Sequence, residues 1–75
     1  SYDIINVGDL NLIPEGVDVV NLDLLADNGM VKKKHSRLKI LGSGTLEKKL
    51  VVEAARFSKS AQAQIEKCGG EAKTV

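Results

Sequence analysis

The residues with chemistry to offer are cations and hydroxyls. Lys32, Lys33, Lys34, Arg37, Lys39, Lys48, Lys49, Arg56 and Lys59 lie close along the chain, with the Ser58 hydroxyl among them. Lys and Arg at loop and strand edges, serine hydroxyls and the amides at a helix start are the groups that hold phosphate, so these ten residues form the candidate phosphate-binding set, and the RNA-binding set if RNA is the partner. The alternative for the Lys32–Arg37 block is a solvated loop, the ordinary fate of a run of like charges. Catalysis is not expected. No nucleophile stands beside a base, the carboxylates are scattered, and the single His35 lies in a basic loop with no partner ligand in sequence. Gly42-Ser43-Gly44 lacks the Lys-Ser/Thr pair of a nucleotide-binding loop and reads as a turn that tolerates positive φ. One Cys and one His give no zinc spacing, so no metal, cofactor or small-molecule substrate is called for. Tyr2 and Phe57 are the only aromatics, too few for a base-stacking platform. RNA would be held through phosphates and shape.

Charge is divided along the chain. Asp3, Asp9, Glu15, Asp18, Asp23 and Asp27 precede Lys32 with no Lys or Arg between them; all 11 Lys and Arg follow, set against Glu47, Glu53, Glu66 and Glu71. A polyanion would favour the second part, and a basic partner protein the first. Mutual neutralisation within the fold is the plainer outcome. The 75 residues, 43% hydrophobic and 28% charged, fit one small globular domain, residues 1–75, with a modest core. No apolar run reaches the ~20 residues of a bilayer span, so a soluble chain with no membrane partner is expected. The start at Ser1, without an initiator Met, suggests a fragment or trimmed product.

The elements that must position the cations are organised around Arg37–Ala63. Leu38 and Ile40 alternate with Arg37 and Lys39, which predicts a strand with one buried face, followed by the Gly42-Ser43-Gly44 turn. Leu46, Leu50, Val52 and Ala54 then share one face of a second predicted strand, with Lys48 breaking that face near the turn. Ser58 or Ser60 caps the last helix, which buries Ala61, Ile65 and Cys68 and stops at Gly69-Gly70; Ala72–Val75 reads as a terminal strand. Upstream, Tyr2–Val7 is predicted as a strand buried on both faces. Gly8–Ile13 has room for one helical turn at most before Pro14, and Val17–Val20 forms a brief edge strand. Asn21 caps a helix over Leu22–Asn28, whose Leu22, Leu25 and Ala26 share a face and whose end is Gly29.

These residues resemble a known family. Asn6-Val7-Gly8-Asp9-Leu10-Asn11, Leu38-Lys39-Ile40-Leu41-Gly42-Ser43-Gly44-Thr45-Leu46, Ala55-Arg56-Phe57-Ser58-Lys59-Ser60-Ala61 and Ile65-Glu66-Lys67-Cys68-Gly69-Gly70 are similar to the C-terminal half of large-subunit ribosomal protein fifteen. The likeness covers essentially the whole chain in the right order. It implies an α/β fold: a small single domain, an irregular superhelix of β-β-α turns with short mixed strands and two main helices. It also implies a structural role in translation on large-subunit ribosomal RNA, beside neighbouring ribosomal proteins, in a cytoplasmic or organellar ribosome. The family's basic N-terminal half, rich in Gly, Arg and Lys, is absent from these residues. Within the resemblance, Gly42-Ser43-Gly44 and Arg56–Ser60 belong to the family motif, whereas Lys32–Arg37 matches none and rests on charge alone.

Overall fold

Alternation of apolar and polar residues decides most of the fold. The computed structural model describes all residues, Ser1–Val75. Its order is β1 (Asp3–Asn6), a 3-10 helix (Val7–Leu12), β2 (Val19–Val20), α1 (Leu22–Asp27), β3 (Leu38–Leu41), β4 (Val51–Ala54), β5 (Arg56–Phe57), α2 (Lys59–Lys67) and β6 (Glu71–Thr74). Odd strands form one sheet in the order β1-β3-β5, and even strands a second in the order β2-β4-β6. The chain therefore winds as three coils, each giving one strand to the first sheet and then one to the second. This is the irregular superhelix of an α/β domain. Every strand pairing is parallel, not mixed, because each strand repeats the direction of the one a coil earlier.

Both sheets turn one face inward. Ile5, Leu38 and Ile40 from the first meet Val20, Val52 and Ala54 from the second, with Leu10, Leu25, Ala61 and Ile65 closing the core from the helices. A fully buried Val, Leu or Ile side chain contributes about 1.5–3 kcal/mol of transfer free energy. Asn21 caps α1 by accepting the Leu24 N–H at 2.8 Å, and Ser58 caps α2 by accepting the Ala61 N–H at 3.2 Å.

Four local expectations need correction. β1 is buried on one face: Asp3 and Ile5 point in, while Ile4 is 54% exposed. The segment after it makes six residues of 3-10 helix, about two turns, because Val7 and Leu10 at i and i+3 both reach the core. Leu46 and Leu50 are buried as expected, yet 42–50 is an irregular connection rather than a strand. It has no sheet partner there, since β3 and β4 belong to different sheets and the chain must cross between them. The fourth correction concerns Gly42-Ser43-Gly44, which is a coil-to-coil contact as well as a turn. Gly44 has φ +85°, and a Cβ on it would lie 2.8 Å from the Gly8 Cα; one on Gly42 would lie 1.9 Å from the Ser60 Oγ. Close stacking of successive coils leaves no room for side chains at these corners.

Candidate nucleic-acid interface

The first sheet's outward face follows from its inward one. Since Asp3, Ile5, Leu38 and Ile40 point to the core, Ile4 and Lys39 must point away, and the register places Ile4, Lys39 and Arg56 in one row across β1, β3 and β5. With strands ~4.8 Å apart the row is about 10 Å wide. Tyr2, just before β1, gathers the cations. The Arg37 guanidinium lies over its ring, 4.7 Å from the centroid, and the Lys39 ammonium 5.8 Å from it. Arg56 Nε–H donates to the Tyr2 hydroxyl oxygen at 3.3 Å. That bond, chiefly, and the charges of Arg37, Arg56 and Lys39 hold the Tyr2 phenol below the usual tyrosine range, against a smaller opposing effect of desolvation. Water reaches both partners of each cation–ring contact, so these contacts orient the cations more than they stabilise the fold.

The helix start lies next to this row. Ser58 donates its N–H to the Ile40 carbonyl at 2.9 Å, which ties α2 to β3, and its hydroxyl lies 3.4 Å from that of Ser60. Lys59 is exposed beside it. The Ser58 oxygen is thus already an acceptor for its own helix.

The basic loop is shaped by a residue far away in sequence. Asp3 is buried, and its two carboxylate oxygens accept the N–H groups of Lys34 (3.1 Å) and His35 (2.9 Å). Lys32 and Lys34 are left exposed with no ion pair. Lys33 turns instead to Asp23, and that hydrogen bond and charge, helped by Asp27, raise its pKa.

Lys48 and Lys49 lie elsewhere, at the start of the second sheet. Lys48 donates to the Ile13 carbonyl and stands 3.9 Å from Glu15, while Lys49 lines a shallow cleft with Asp18 and Glu71. The structure therefore brings together Arg37, Lys39 and Arg56, with Ser58 and Lys59 adjoining, and disperses the remaining candidates. Ion pairing cancels little of the divided charge, because Lys33–Asp23 and Lys48–Glu15 are its only salt bridges.

Tyr2 is the residue that sequence reasoning passed over. Nothing local marks it, since its bond to Arg56 joins positions 54 apart and exists only because three parallel strands align. No three His, Cys, Asp or Glu residues are grouped to hold a metal ion, and no helix is long and apolar enough to cross a membrane. A cleft of about 490 Å³ beside α1 is lined by charges of both signs, Asp23, Lys33, Arg37 and Glu53.

Known proteins are similar to this chain in sequence. The family model for ribosomal proteins 50S-L15, 50S-L18e and their 60S counterpart matches residues 4–73. The large ribosomal subunit protein uL15 of Prochlorococcus marinus is 47% identical over 70 residues, 93% of this chain and 46% of its own. The uL15 proteins of Syntrophotalea carbinolica and Opitutus terrae are 43% and 42% identical over 99% and 96% of this chain, respectively 50% and 49% of theirs. The chain spans about half the length of the curated relatives it matches.

Proposed function

This chain belongs to the family of ribosomal proteins 50S-L15, 50S-L18e and their 60S counterpart, and from that premise we propose that it is a structural, non-catalytic constituent of the large ribosomal subunit that contacts ribosomal RNA. It corresponds to the globular C-terminal half of a protein of the relatives' length and works on the ribosome in translation. The observation that carries the RNA reading is the Arg37, Lys39 and Arg56 cluster, which has no acidic partner and shares one outward face. Lys32, Lys34 and Lys59 extend the positive surface. Lys33 and Lys48 are engaged with Asp23 and with Ile13 and Glu15, so they contribute less to phosphate binding. Affinity should be modest, because the counterion-release contribution grows with the number of phosphates neutralised and the cluster that shares one face supplies only Arg37, Lys39 and Arg56.

The test is binding of large-subunit ribosomal RNA by the 75-residue chain across a salt series. Affinity that falls linearly with log salt supports the reading, and affinity indifferent to salt overturns it.

A second reading concerns proteins. Asp9, Asp18 and Asp27 form no salt bridge, so the acidic first part retains a surface for a basic neighbour such as another ribosomal protein. Co-sedimentation with the large subunit favours an RNA-bound role with such neighbours. A discrete non-ribosomal partner would instead make the chain an interaction module.

A further inference from the structure

A site for phosphate alone needs cations and water. The outer face of the first sheet has something more, because Ile4, one of the few large apolar side chains left exposed, stands in the same row as Lys39 and Arg56. Beside it is one of only two aromatic rings in the chain, with the exposed Arg37 guanidinium laid over it. Apolar surface, a ring and a guanidinium among unpaired cations are complementary to a nucleotide rather than to bare phosphate, since bases stack on aromatic rings and on Arg planes. In an A-form duplex the bases are stacked inside and present edges and backbone instead.

Resting on the reading that this chain binds RNA, we propose that this face seats one unpaired ribonucleotide, its base against Arg37, Tyr2 and Ile4 and its phosphate between Lys39 and Arg56. Tyr2 also acts as a positioning residue, because its ring and hydroxyl hold Arg37 and Arg56 at opposite ends of the seat. No covalent step is involved.

Tyr2 is the only tyrosine and the chain has no tryptophan, so intrinsic fluorescence reports on the seat directly. The 75-residue chain is titrated with a single-stranded oligoribonucleotide of about six nucleotides, a duplex of the same length, and inorganic polyphosphate of matched charge. The expected result is saturable Tyr2 quenching by the single strand at lower concentration than by either competitor. In anisotropy with a labelled single strand, Tyr2→Ala should bind about tenfold more weakly and Tyr2→Phe about threefold more weakly than the parent, since phenylalanine keeps the stacking surface but lacks the hydroxyl that holds Arg56. Polyphosphate binding as tightly as the single strand, or a preference for the duplex, overturns the seat. So does Tyr2→Ala binding the single strand as well as the parent does. Ribosomal RNA bound with an undiminished salt slope alongside any of these results removes the seat but leaves the broader reading, whereas failure to bind ribosomal RNA removes both.

Discussion

The two sheets have nearly the same interior and different exteriors. Each has three parallel strands from successive coils, and each turns Ile, Leu, Val or Ala residues into a shared core. Outside, the second sheet carries Glu53 opposite Lys73 in register, with Glu71 on the same strand as Lys73, so opposite charges are neighbours. The first sheet carries Lys39 and Arg56 next to Ile4, with Arg37 and Tyr2 above them and no carboxylate in the row. Packing requirements are thus met alike on both inner faces and cannot explain the difference outside. The outer face of the first sheet holds positive charge that folding does not neutralise, and that is where a polyanion gains most.

If the inner faces are equivalent, damage to either should be similar. Ile40→Ala should cost about 2–5 kcal/mol and Val52→Ala about 2 kcal/mol in urea unfolding, large effects in a domain of this size. A negligible cost at one of the two would break the equivalence. Asp3→Asn tests a feature that only the first sheet has. An amide has a single acceptor oxygen for the N–H groups of Lys34 and His35, so the variant should lose about 1–3 kcal/mol and exchange those amides faster, read by unfolding and hydrogen exchange.

Smaller effects separate the engaged cations from the free ones. Lys33→Ala breaks an exposed pair and should leave both the urea midpoint and RNA affinity nearly unchanged. Because its pKa is raised in the fold, the pair's contribution is fully present below the ordinary lysine pKa and is lost as pH rises through the folded value. Tyr2 behaves in the opposite sense. Its lowered pKa favours the phenolate in the fold, so any stabilisation is full above the ordinary tyrosine pKa of 10.0 and is lost as pH falls through the folded value. Ultraviolet titration should find Tyr2 ionising early, and Arg56→Ala should move it back toward the usual range; no movement would remove the Arg56–Tyr2 bond from the account.

Much of the fold is legible along the chain. Leu38, Ile40, Leu46, Leu50, Val52 and Ala54 are buried as their spacing requires, and Asn21 and Ser58 cap the helices that follow them. Periodicity reports which side of a strand is buried, but not which strand it pairs with. For that reason it makes a strand of the segment before Val51, which crosses between sheets, and places Ile4 in the interior, although it faces solvent. The candidate cations are visible as residue types, while their grouping depends on register. Lys39 and Arg56 are 17 positions apart in sequence and adjacent in the sheet, whereas Lys48, closer to Lys39 in sequence, points toward Ile13 and Glu15. The role of Asp3 has no local sign at all, since its partners are more than 30 residues away.

The contrast between the two outer faces is tested most directly by salt slopes. Large-subunit ribosomal RNA binding is measured against salt for the parent chain, Arg56→Ala and Lys73→Ala. Arg56→Ala should flatten the slope by about 0.7–0.9, one phosphate's share of counterion release, and Lys73→Ala should leave it unchanged. Equal flattening by both, or by Lys73→Ala alone, would contradict the assignment of RNA to the first sheet.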